Sequence, residues 1–153
     1  MTSLVRMATH ADAAALAALR WEFRAGRSTP VEERDAFVSR CAAWMRMQLE
    51  SGDAWRAWVT ETDGRLVGQV WLHLILKVPN PVGERERHGY ISNLYVTPDA
   101  RGGVGTQLLR TAIRWCESMG VDSILLQATP RSRPLYLRSG FSEHADFLQL
   151  KLH

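Results

Sequence analysis

The stretch VTPDARGGVGTQLL, Val96 to Leu109, places three glycines, Gly102, Gly103 and Gly105, within four residues. Ahead of it HGYISNLYVT reads as a strand. Behind it Leu108, Leu109, Ala112, Ile113, Cys116 and Met119 recur at helical spacing up to Gly120, where a C′ glycine belongs. A strand that ends in glycines and opens a helix presents unpaired N–H groups at the positive end of the helix dipole, which suits a phosphate. Glycine lets a ligand approach the backbone where a side chain would block it. No Lys-Ser or Lys-Thr pair follows the glycines, which excludes a Walker loop, and a dinucleotide fingerprint lacks its third glycine and its first βαβ unit. Two readings remain: a pyrophosphate carrier of another kind, or an ordinary tight turn.

Working outward, SLVRMAT is a short strand, and Thr9 with Asp12 caps a helix over ADAAALAALRWEFR, with Leu16, Leu19 and Phe23 on one stripe. The break from Gly26 to Pro30 precedes a second helix, Glu32 to Glu50, whose apolar face carries Phe37, Val38, Cys41, Trp44, Met45 and Leu49 and which stops at Gly52. AWRAWVTETDGRLVGQVWLHLILKV is a hairpin turning at Asp63-Gly64, because such turns demand φ > 0. In its second arm Leu66, Val70, Leu72, Leu74, Leu76 and Val78 share one face, with Gln69, His73 and Lys77 on the other, which predicts a single core face. PNPVGERER is a polar loop. VDSILLQAT is almost continuously apolar and predicts a strand buried on both faces. SRPLYLRS is a short helix closing at Gly140, and FSEHADFLQLKL predicts a final strand or hairpin.

A chain of 153 residues, 46% hydrophobic and 23% charged, is the size of one compact domain, taken as residues 1–153. No apolar run approaches the ~20 residues that span a bilayer, and the N-terminus lacks a cleavable apolar core, so the expectation is a cytoplasmic protein with no membrane partner. The two cysteines, Cys41 and Cys116, lie in helical apolar stripes and read as buried free thiols, with no disulfide framework or metal set around them. The net charge of +3 mildly favours an anionic ligand and does not establish a nucleic-acid surface, so nucleic acid is not the expected partner.

NLYVTPDARGGVG with its amphipathic helix, followed by RPLYLRSGF, resembles the GNAT superfamily of acyl-CoA-dependent N-acetyltransferases. The resemblance implies an α/β (α+β) single domain whose central mixed, mostly antiparallel sheet splays at an acyl-CoA cleft, with helices on both faces. It implies acetyl-CoA as cosubstrate, an amine acceptor and transfer by direct attack in a ternary complex, with a small molecule as the first choice of acceptor. A protein or aminoacyl-tRNA amine, or a non-catalytic acyl-CoA sensor, are the alternatives, and a homodimer is left open. By the same resemblance CoA is held at Leu94, Tyr95, Val96, Arg101, Gly102, Gly103, Val104, Gly105 and Thr106, with Thr129 and Ser132 across the cleft. Tyr136 is the implied acid that protonates the departing thiolate.

The chain departs from the family pattern in two places. The loop from Pro98 is one residue short of the usual Pro-x-x-Arg-Gly-x-Gly-x-Gly. Anchored on Gly103 and Gly105, the family's Arg/Gln position falls on Ala100; anchored on Arg101, its glycine positions fall on Val104 and Thr106. The glycine anchor is preferred, since close approach requires glycine while an arginine one position away still reaches a phosphate. An asparagine that many members carry seven residues before the tyrosine is Thr129 here.

The chemistry itself requires a neutral amine, donors for a developing oxyanion and a proton for the thiolate. If the sheet splays there, as the resemblance implies, backbone N–H groups of Leu94-Tyr95-Val96 can supply the oxyanion donor. No glutamate occupies the strand entering the site, which carries Tyr90, Ser92 and Asn93. Glu22, His73, Glu84, Glu86 and His88 are the nearby candidates for a base, each read more simply as a surface polar group; a water chain would suffice. The six tryptophans read as core by their spacing, with Trp21 and Trp55 available to line an acceptor pocket. Arg131, Arg133 and Arg138 suit cofactor phosphates better than RNA.

Overall fold

The computed structural model describes residues 3–153. Its strands are β1 (Ser3–Met7), β2 (Trp55–Thr62), β3 (Arg65–Leu76), β4 (Arg87–Val96) and β5 (Ser123–Leu126). Its α-helices are α1 (Ala13–Ala25), α2 (Arg34–Ser51), α3 (Val104–Ser118) and α4 (Arg133–Arg138). The strands form one sheet in sequence order, antiparallel throughout except for the parallel β4–β5 pair. A parallel neighbour requires a crossover, and α3 supplies it.

Local signals account for the ends of these elements. The Asp12 carboxylate accepts a 2.8 Å bond from the Thr9 amide and receives the Arg6 guanidinium, which also reaches Glu61. This fixes the entry into α1 against β1 and β2. The β2–β3 turn places Asp63 at φ 51 and Gly64 at φ 77, the pair of left-handed residues that matches strand twist.

Helices cover both faces of the sheet, and this overturns the expectation that β3 has a single core face. On one face Ala13, Leu16 and Ala17 of α1 and Ala42 and Met45 of α2 pack on Ala57, Val59 and Trp71. On the other, Leu108, Leu109, Ala112 and Cys116 of α3 and Tyr136 of α4 pack on Trp58, Val70, Leu72, Leu74 and Ile91. Gln69 is therefore fully buried; its Nε2 donates to the Leu16 carbonyl at 3.2 Å and its Oε1 accepts from Trp71 Nε1 at 2.8 Å. Leu76 and Val78, placed with the core by alternation, run past the helices and are exposed.

The predicted apolar face of α2 does turn inward: Met45 is buried, and Phe37, Val38, Cys41 and Leu49 are half-buried. Ala42 is buried beside Met45, and Trp44, at the helix's outer edge, is exposed on one side while its ring packs on Trp55 and Trp71; α2 otherwise lies chiefly against α1. Cys116 is buried as expected, while Cys41 on α2 is half-buried. β5 is shorter than predicted and half-buried, an edge strand rather than one covered on both faces. No strand forms among the described residues after α4. Leu148, Leu150 and Leu152 alternate as a strand would, but they are exposed, since alternation assigns faces and cannot supply a ladder partner. Cavities of about 690 Å³ and 780 Å³ separate β5 and its neighbours from this tail.

Candidate active site

The sheet opens at one place. β5 follows β4 only from His88 to Ile91. Immediately beyond, β4 bulges: Trp71 pairs with Ser92 and Gln69 with Tyr95, so Asn93 and Leu94 stand opposite Val70 alone. Asn93 takes φ 54, a left-handed conformation that asparagine tolerates better than most residues. Leu94, Tyr95 and Val96 thus border a cleft on the side that β5 has left.

The glycine turn follows that strand directly. Gly102 and Gly103 have φ 128 and φ 102, values that side-chain-bearing residues rarely adopt, and a Cβ on either meets no heavy atom within 4 Å. Gly103 is the N-cap of α3, and no side chain caps the helix, so its first-turn amides are available to a ligand. Arg101 Nε donates to the Val96 carbonyl at 3.2 Å, which folds the exposed arginine back over the end of β4. Gly105 faces the other way, its ideal Cβ 3.8 Å from both Leu135 and Val96, so the start of α3 packs beside α4.

The turn before α4 is closed by reciprocal bonds. Ser132 Oγ accepts from the Thr129 amide at 3.0 Å, Thr129 Oγ1 accepts from the Ser132 amide at 3.2 Å, and the two hydroxyls lie 2.9 Å apart. Ser132 is the N-cap and Pro134 falls in the first turn, where its missing N–H has no intrahelical partner to lose. The helix so started buries Tyr136, whose ring meets Phe141 edge-on at 5.8 Å. Burial pushes the Tyr136 phenol above its ordinary pKa, with the nearby charge of Arg27 opposing.

The candidate bases scatter. His73 stacks on Trp55 at 4.2 Å, His88 bonds Ser123 at 2.9 Å, Glu84 pairs with Lys77 and Glu86 accepts from the Asn80 amide. Glu22 alone of the five reaches the bulge: burial first, then the Glu22 carboxylate, raises the Tyr95 phenol, and Arg101 opposes. Trp55 packs with Trp44 and Trp71, while Trp21, 5.8 Å from Phe37, lines a cavity of about 280 Å³ between α1 and α2. Arg133 is tied to Glu143.

Sequence reading gave no site role to three residues that the fold brings to the bulge. Phe23 stacks on Tyr95 with centroids 5.1 Å apart, Arg27 lies 4.7 Å over the Phe23 ring, and Arg20 Nη1 donates to Asn93 Oδ1 at 3.2 Å. The signal available for the arginines was their spacing at 20 and 24 on one helix face with 27 just beyond its end.

An antiparallel sheet split beside a parallel edge strand, with an uncapped glycine turn at the split, defines an acyl-CoA-dependent acyltransferase fold. The acetyltransferase (GNAT) family matches residues 15–141, and the chain belongs to that family. It is an acetyltransferase with acetyl-CoA as cosubstrate. In fold it is similar to a predicted acetyltransferase of Clostridium acetobutylicum crystallised with acetyl-CoA, at 22% identity and a TM-score of 0.82 over 99% of this chain and 97% of that one. It is also similar to glucosamine-6-phosphate N-acetyltransferase of Arabidopsis thaliana, at 18% identity and a TM-score of 0.74 over 100% of both chains. A third is ribosomal-protein-alanine N-acetyltransferase of Brucella melitensis, at 21% identity and a TM-score of 0.69 over 99% of each. No curated protein matches the chain. Among the described residues no helix is long and apolar enough to cross a membrane, and no group of three or more His, Cys, Asp or Glu could hold a metal ion.

Proposed function

We propose that this chain transfers the acetyl group of acetyl-CoA to the primary amine of a small molecule, by direct attack while both substrates are bound. The observation that carries the reading is the coincidence of three features: the β4 bulge where β5 departs, the uncapped start of α3, and Tyr136 on α4. Acetyl-CoA brings an activated thioester. The amides of Val104, Gly105 and Thr106 and the open turn at Gly102 and Gly103 hold its pyrophosphate, with Arg101 beside them and Thr129 and Ser132 shaping the opposite wall. Backbone N–H groups of Leu94 to Val96 face the carbonyl oxygen as it gains charge, and the Tyr136 hydroxyl protonates the thiolate. Its raised pKa keeps that proton in place at neutral pH.

The small cavity beside the bulge favours a small acceptor. Structurally similar proteins span glucosamine 6-phosphate, aminoglycosides and ribosomal-protein alanine as acceptors, so fold alone does not choose among them. The test is thiol release from acetyl-CoA over amino acids, amino sugars, polyamines, aminoglycosides, peptides and charged tRNA. Turnover confined to small amines is expected. Turnover only with peptide or tRNA assigns a macromolecular acceptor, and tight CoA binding with no turnover assigns a sensor.

The CoA contacts have their own test. Gly103→Val sets a branched side chain in the open approach to α3, and φ 102 adds backbone strain of about 1–3 kcal/mol. Calorimetry should show CoA affinity reduced at least tenfold in protein that still melts cooperatively. Wild-type affinity in that folded variant removes the pyrophosphate assignment.

A further inference from the structure

We propose that the acceptor amine carries an anionic group, a carboxylate or a phosphate, bound by Arg20 and Arg24 in the cavity between the end of α1 and the start of α2. This rests on the small-molecule transferase reading above and adds the substrate's charge to it.

Arg20 and Arg24 share one face of α1, and Arg27 follows in the turn just past its C-cap Gly26. Among the described residues no carboxylate oxygen lies within 4.0 Å of any of the three; several exposed arginines such as Arg46 and Arg110 share that, but Arg20 is set apart by its burial. Glu32, the one acidic residue lining the cavity, is already taken by Arg40. Burial first, then the charge of Arg24, draws the Arg20 pKa down, as befits a cation with no counter-charge.

Arg20 is half-buried and carries five N–H donors; its one side-chain hydrogen bond runs to Asn93 Oδ1 on the bulge. A guanidinium withdrawn from water with most donors unfilled is costly unless a ligand completes it. Arg20 also lies 5.9 Å from the Phe23 centroid, a contact that fills none of its N–H donors, and the other two arginines have partial explanations of their own. Arg24 lies in the last turn of α1, where the helix dipole favours a cation, and Arg27 rests over Phe23. Arg20, more than a turn from the helix end, gains little from the dipole. A polyamine or another cationic acceptor meets like charge here. An anion meets a bidentate partner, with Trp21 and Phe37 forming an apolar wall for the body of the molecule. Because Arg20 touches the bulge itself, an anion held there sets the amine close to the thioester.

The experiment separates this inference from the transferase reading. Protein saturated with CoA, so that the glycine turn is filled, is titrated with inorganic phosphate and with acetate at constant ionic strength, following arginine Nε resonances. Saturable binding is expected, at least tenfold weaker in Arg20→Gln and in the exposed Arg24→Gln, the second serving if the first unfolds. In parallel, acetyl transfer is compared for phenylalanine against phenethylamine and for O-phosphoethanolamine against ethanolamine. The anionic member of one pair should lead by tenfold or more in kcat/KM, and the lead should shrink in both variants through KM; which pair leads identifies the anion. No saturable anion binding, or measurable but equal turnover within both pairs, overturns the inference. Anion binding that depends on the two arginines, with no amine turned over, sustains it while removing the transferase reading.

Discussion

At Tyr136 a buried ring and an ionisable hydroxyl coincide, and substitution separates their contributions. Tyr136→Phe keeps the contact with Phe141 and removes only the proton donor. Single-turnover acetyl transfer should fall by about 10²- to 10⁴-fold with CoA affinity unchanged. The pH dependence has a definite sign. Because burial raises the phenol, the acid form persists through neutral pH, and wild-type activity should decline only above the ordinary tyrosine value of about 10. The Phe variant should lack that alkaline limb while keeping the acid-side rise from deprotonation of the amine. Wild-type rates in the variant return Tyr136 to a packing role. Tyr136 and the glycines were legible in the sequence because each is marked by immediate neighbours: Pro134 and Gly140 around one, a strand and a helix around the others. Arg20 and Asn93 were not. Their meeting depends on a bulge created by the β3–β4 register, and residues 73 positions apart give no local sign of it.

Among the elements, β3 shows what alternation can and cannot report. Its even positions are core as predicted at Val70, Leu72 and Leu74, yet the odd face is equally buried at Val67, Gln69 and Trp71. A polar residue in an alternating strand normally points to solvent; here α1 lies over it, and Gln69 is used to join Trp71 to the Leu16 carbonyl. Gln69→Leu keeps the volume and strands the Trp71 N–H in the core. Urea unfolding should show a loss of about 1–3 kcal/mol at unchanged m-value. A variant as stable as wild type would mean that the Trp71 donor finds another partner. The helices were legible for a related reason. α1 and α3 bury their stripes fully because each lies flat on the sheet, whereas α2, leaning on α1, buries Met45 and leaves Phe37, Val38, Cys41 and Leu49 of its broad apolar face half-buried. The C-terminal segment carries the period of a strand without the partner that would make it one.

Over the whole molecule, the split sheet brings two approaches to one point. The glycine turn and α3 lie on one side of the bulge, and the α1–α2 cavity on the other, joined through Arg20, Asn93 and the Phe23–Tyr95 stack. Neither approach crosses the other, so both substrates can be present together. An acyl-enzyme route would instead need a nucleophile at the meeting point, and the two cysteines are poorly suited to it. Cys116 sits in the α3 core beside Gly89, its thiol pushed up to about 11 by burial, and Cys41 on α2 is raised by burial as well. Neither is a thiolate at neutral pH. Initial rates at varied acetyl-CoA and varied acceptor should therefore give intersecting reciprocal plots. Protein incubated with acetyl-CoA alone should retain no acetyl group by intact-mass measurement. Parallel plots, with a protein that gains one acetyl group and passes it to an amine added afterwards, would establish a covalent intermediate and displace direct attack at the bulge.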